Sequence, residues 1–154
     1  MRYPFVFIAL LFWITLFSQN TFACECSWND QNMSKEKVKD VYLKEPQGAI
    51  FKGKVIELKE ESIDWNGEES TVRKITIEVE KYWFGVNKRQ VIIYTKKFGC
   101  GISNFEKGKV YFFVSHVENG KLVTTVCDYM FQEYFTESEF SVILGKAKTF
   151  KKTR

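Results

Sequence analysis

The sequence of this 154-residue chain predicts an all-β domain with a short helix near either end. Three observations carry that expectation. Ile75, Ile77 and Val79 alternate with Thr76, Glu78 and Glu80, the period of two of a half-buried strand. Two Asn-Gly pairs, Asn66-Gly67 and Asn119-Gly120, each separate two strand-like runs, a strong short-range hairpin signal. Finally, the residues that follow an N-terminal leader are enough for one domain around one core.

The leader is residues 1–23. Arg2 provides a positive start, Phe5–Phe17 an apolar stretch, and "SQNTFA" a polar end closing on a small residue. A helix of that apolar stretch spans only about 20 Å, short of the ~30 Å bilayer interior. Thr21 and Ala23 suit the two positions that signal peptidase inspects. Cleavage after Ala23 makes Cys24 the first residue of a mature domain, 24–154. The expectation is therefore a secreted or periplasmic protein with no membrane span. The alternative is a lipobox at "TFAC" with an acylated Cys24 on the cell envelope, for which Thr21 and Phe22 are poor residues.

In the mature part, Ser34 can cap a helix over Ser34–Glu45 that places Val38, Val41 and Tyr42 on one face. Pro46-Gln47-Gly48 ends it. Ala49–Leu58 reads as a strand with Phe51 and Val55 on one side and a bend allowed at Gly53. Thr71–Gly85 is its hairpin partner, which puts Trp65 at the tip beside Asn66-Gly67. Gln90–Thr95 is a third strand, and Lys109–Cys127 a second hairpin. Thr136-x-x-Glu139 is a capping box opening a C-terminal helix in "TESEFSVILGKAKTF". Five strands with flanking helices in a domain of this size suit a small Greek-key barrel of the OB type.

Charge and composition narrow the function. Removing Arg2 with the leader takes the net charge from +4 to +3. The lysine-rich tail "KAKTFKKTR" on so balanced a chain reads as a solvated end, and no nucleic-acid partner is expected. Catalysis is not expected either. His116 is the one histidine, set in a strand with no nucleophile to activate, and no carboxylate pair stands out among many acids.

Cys24, Cys26, Cys100 and Cys127 form an even set in an exported domain, which favours two disulfides. A zinc site would ask for a wider Cys-x2–4-Cys spacing or nearby histidines. Pairing Cys24 with Cys26 closes a very small ring, a poor geometry. Cys24–Cys100 with Cys26–Cys127, or the crossed arrangement, remain. Either staples the N-terminus to distant parts of the domain, each bridge contributing up to about 4–5 kcal/mol in a chain-entropy picture. No cofactor is implied.

The segments "CEC" at Cys24–Cys26, Cys100-Gly101 and "GKLVTTVCDYM" at Gly120–Met130 resemble the N-terminal domain of the tissue inhibitors of metalloproteinases. "AIFKGKVI", "ITIEVEKYWFG" and "CGISNFEKGKVYFFV" resemble, in order, the family's first strand, its second, and the segment entering the fourth. The resemblance spans the mature chain at the length of the inhibitory, netrin-like domain alone. It implies an OB barrel, the pairing Cys24–Cys100 with Cys26–Cys127, and a zinc metalloendopeptidase as partner; a monomer is expected. In the family the amine and carbonyl of the first cysteine chelate the protease's zinc, so the metal comes from the target. Carried over, Cys24 chelates, Glu25 enters the pocket for the residue after the scissile bond, and Cys26 and Ser27 continue along the cleft. Phe98 and Gly99 line the other side of the ridge, and the Trp65 tip reaches the protease's outer surface.

Two departures bear on that expectation. The family places a small or hydroxylated residue where this chain has Glu25, and a carboxylate in an apolar pocket is costly without a cation. A disulfide joining the family's first helix region to the barrel has no counterpart, since Ser34–Glu45 lacks cysteine. The rival expectation is a netrin-like binding module that inhibits nothing.

Overall fold

A computed structural model describes Cys24 and residues 48–128 and 136–150. The leader, the Ser34–Glu45 helix, Glu25, Cys26 and Ser27 lie outside the described residues. The described chain is mostly β, in the order β1 (Ala49–Trp65), β2 (Glu68–Phe84), β3 (Gln90–Lys96), β4 (Val110–Glu118), β5 (Lys121–Val123) and α1 (Glu137–Leu144). Residues 126–128 are also helical. The strands form one sheet whose pairings run β1-β2-β3-β5-β4 and return to β1, a closed ring.

The first hairpin dominates. β1 and β2 pair antiparallel from Ile50↔Phe84 to Trp65↔Glu68, and Asn66 and Gly67 turn with φ of 61° and 84°. Positive φ at both positions matches the twist of the flanking strands and suits Asn-Gly. The strands outrun the sequence expectation, since β1 continues through "KEESID" to Trp65. That stretch carries few apolar residues because much of it faces solvent on both sides. Gly53 sits at a register shift. A Cβ there would fall 2.7 Å from the Glu78 carbonyl oxygen.

β4 lies along β1, with Phe51 opposite Phe113, and turns at Asn119-Gly120 into the three-residue β5. The chain leaves the sheet at Thr124, earlier than the Lys109–Cys127 hairpin predicted. β5 reaches β3 through the parallel bridge Tyr94↔Val123, backed by the Thr124 amide donating to the Tyr94 carbonyl at 2.9 Å.

Inward residues of the period-two pattern fill the ring: Phe51, Val55, Ile75, Ile77, Ile93 and Phe113 are fully buried. Ile102 and Phe105, from the β3–β4 connection, join this core. A second cluster covers one outer face, where Phe140 of α1 packs with Ile50, Trp83 and Val114.

α1 begins as its capping box predicts: Thr136 accepts from the Glu139 amide, and Glu139 accepts from the Thr136 amide at 2.8 Å. It stops at Gly145 (φ 85°) instead of continuing to Phe150. The following residues return to the sheet, where Lys148 and Tyr82 exchange backbone hydrogen bonds and Phe150 stacks on Tyr82.

Glu137, at the start of α1, ties the helix to the sheet through Lys81 and Lys52. The Lys81 hydrogen bond, with Lys52 behind it, holds the Glu137 carboxyl below its ordinary 4.5. A depressed carboxyl stabilises the fold above its unfolded pKa, and that contribution is lost as pH falls through the folded value. Glu137→Gln should therefore cost at most about 1 kcal/mol at pH 7, given solvent screening of a half-exposed network. In urea titrations the difference from the parent should vanish in acid, below the folded pKa.

Candidate functional site

The site is built where β3 ends. The Lys97 amide donates to the Thr71 carbonyl at 3.1 Å, holding the chain to β2 for one more residue. Phe98, Gly99 and Cys100 then stand out in solvent; Phe98 is 73% exposed and Gly99 has φ of 71°. The chain returns at once, as the Ile102 amide donates to the buried Thr95 hydroxyl at 2.8 Å. Three exposed residues are thus carried on a short turn with both ends hydrogen-bonded.

Cys24 is joined to Cys100 by a disulfide, with 5.5 Å between the Cα atoms and 76 residues of sequence separation. The structure therefore places Cys24, Phe98, Gly99 and Cys100 in one ridge. The Val126 amide donates to the Cys100 carbonyl at 2.9 Å, supporting the ridge from the segment after β5. Cys127, the next residue, is also disulfide-bonded. Its expected partner, Cys26, lies outside the described residues, as do Glu25 and Ser27.

Gly101 makes the tight return possible. A Cβ at this position would lie 1.6 Å from the Lys96 carbonyl oxygen and 2.6 Å from its carbon, both backbone atoms that cannot turn aside. Gly101→Ala should push the ridge off the end of β3 and cost about 1–3 kcal/mol, as overpacking does. Urea unfolding checks the cost, and shifted amide resonances at Phe98–Ile102 check the location.

Charges flank the turn. Lys97 donates to Glu60 at 2.7 Å, and its ammonium lies 5.8 Å from the centre of the Phe98 ring. The Lys97 hydrogen bond, helped by Arg73, lowers the Glu60 carboxyl below its ordinary value. Arg73 also donates to the Ser103 carbonyl at 2.6 Å, bracing the connection beyond the ridge.

Trp65 requires a correction. It closes β1 at the hairpin tip, yet it is only 3% exposed and cannot serve as an outward contact. Its ring packs with Val72 and Val123, the Lys96 ammonium sits 5.2 Å from its centre, and its indole N–H donates to Glu118. Asn119 donates to the Asn66 side-chain oxygen at 2.6 Å, so the two Asn-Gly turns are clasped together. The tip folds back because an indole gains more from burial and a carboxylate partner than from solvent.

Among the described residues, no group of three or more His, Cys, Asp or Glu side chains is placed to hold a metal ion, and no helix is long and apolar enough to cross a membrane. His116 is half-exposed beside Asp128, a pair that the sequence reading missed because no motif joins residues twelve apart across a hairpin. No family model matches this chain, and no curated protein matches it significantly.

Proposed function

We propose that this protein is a secreted or periplasmic inhibitor of zinc metalloendopeptidases, acting through the N-terminal Cys24 of a domain whose sheet follows the OB Greek-key plan. The supporting observation is the Cys24–Cys100 disulfide beside the exposed Phe98-Gly99 turn. The ring order β1-β2-β3-β5-β4, with β3 parallel to β5, agrees with an OB barrel and with the family resemblance.

In this reading the leader is removed and Cys24 presents a free amine. An α-amine has a pKa of ~7.7–8.0, so its neutral form is accessible near neutral pH. That nitrogen and the Cys24 carbonyl oxygen form a five-membered chelate able to replace the water on a catalytic zinc. The metal belongs to the target. This chain contributes two backbone atoms, held by the disulfide to a turn that is itself hydrogen-bonded, and such preorganisation converts contacts into affinity. Phe98 and Gly99 lie beside them as an apolar lip for the cleft. Glu25 favours a target with Arg or Lys in the adjoining pocket over one with an apolar pocket.

The test is titration of the oxidised mature protein, beginning at Cys24, against a panel of zinc endopeptidases with apolar and basic pockets. Stoichiometric inhibition, strongest for basic pockets, is the expected result. Inhibition of none would replace this reading with the netrin-like binding module, which the Glu25 carboxylate favours. An acyl increment in the intact mass would instead indicate an envelope lipoprotein with a blocked amine.

A further inference from the structure

The support beneath the ridge contains the chain's one histidine. Asp128 is 6% exposed, and a single oxygen of its carboxylate gathers the Thr125 amide at 2.7 Å, the Thr125 hydroxyl at 2.9 Å and His116 Nδ1 at 3.2 Å. These contacts fix residues 125–128, the segment in which Val126 donates to the Cys100 carbonyl and Cys127 is disulfide-bonded. On the other side of the imidazole, Nε2 lies 3.9 Å from Glu118, whose second oxygen accepts from Trp65. Among the described residues, carboxylates from two elements thus face the ring. Across the hairpin, β5 places Val123 opposite His116 and Lys121 opposite Glu118.

We propose that His116 and Asp128 form a proton-dependent brace for the ridge, in which the imidazolium binds the 125–128 segment to β4 and thereby steadies the Cys100 carbonyl and the Cys24 attached to it. Neither residue touches the proposed zinc or cleft, so both act as positioning residues. The neutral ring keeps its hydrogen bond to Asp128; the charged ring adds attraction to the Asp128 and Glu118 carboxylates. A histidine that gains carboxylate partners on folding stabilises the fold fully below its unfolded pKa, and the contribution is lost as pH rises through the folded value. The brace is therefore firm in mild acid and loose in mild alkali. Its bearing on inhibition rests on the inhibitor reading; the brace itself does not.

Two measurements on the oxidised protein test it. The single histidine resonance, followed by NMR, should titrate at lower pH in Asp128→Asn, whose amide oxygen still accepts from Thr125, than in the parent. Exchange of the Val126 amide, corrected for intrinsic rates, should be roughly three- to tenfold slower below that titration than above it. This difference should disappear in Asp128→Asn and in His116→Gln. A histidine titration that does not move in Asp128→Asn, or Val126 protection that ignores pH or persists unchanged in both variants, overturns the proposal. Inhibition is not needed as a readout. A protein with the titration and exchange pattern but no inhibitory activity would refute the inhibitor reading and leave the brace standing.

Discussion

Adding one alanine ahead of Cys24 is expected to reduce inhibition of a susceptible zinc endopeptidase by about a hundredfold or more, equivalent to about 3 kcal/mol. The extension converts the Cys24 amine into an amide, whose nitrogen lone pair is delocalised and is no longer a useful metal ligand. It also inserts a residue where the protease's metal must approach. The disulfide to Cys100, the Phe98-Gly99 turn and the sheet are untouched, so the thermal transition should not move. Parallel titrations and melting curves of the two proteins separate the effects. Equal inhibition by both would show that the amine does not coordinate zinc and would leave the ridge, at most, as an ordinary contact surface.

The largest stability effect is expected at Phe113. This residue is fully buried on β4, lies opposite Phe51 in the β1–β4 register, and stacks on it with ring centres 5.1 Å apart. Phe105 adds a third ring at 5.5 Å. Phe113→Ala should cost about 3–5 kcal/mol, from lost transfer energy and from a cavity that its aromatic neighbours are too rigid to fill. That is a large part of the ~5–15 kcal/mol that holds a domain of this kind folded. Phe113→Leu, nearer in volume, should cost much less. Urea denaturation of the oxidised proteins measures both. A loss under about 1 kcal/mol for the alanine variant would mean that the inner cluster collapses around the gap.

These expectations rest on features of unequal legibility. Ile75, Ile77 and Val79 announced β2 because a strand with one buried face must alternate, and the two Asn-Gly pairs announced turns because few other residues accept positive φ in succession. The capping box at Thr136 was equally local and equally readable. The outer half of the first hairpin was not, since Lys59 to Asp64 carry no apolar alternation and owe their pairing to the strand continuing beneath them. Trp65 was misplaced for a related reason. Its burial depends on Glu118 and Val123, more than fifty residues away, and nothing local distinguishes an indole that folds back from one that projects. At the site, cysteine spacing left two pairings open, and only the resemblance favoured Cys24–Cys100, the bridge present in the structure. The His116–Asp128 pair had no sequence signal at all.

The closing seam of the ring is its thinnest joint. The ring would open here if β5, three residues long and bridged to β3 at a single register position, let go. The chain leaves β3 toward Cys100 and leaves β5 toward Cys127, and both cysteines are oxidised. Like a hoop riveted where its ends barely overlap, the molecule puts oxidised cysteines beside a joint bridged at a single register position. A reducing environment therefore threatens this edge first, while the long β1–β2 hairpin keeps its ladder. Oxidation and ridge geometry meet here: the cross-link that would aim Cys24 at a partner is anchored at Cys100, just beyond β3, one side of that seam.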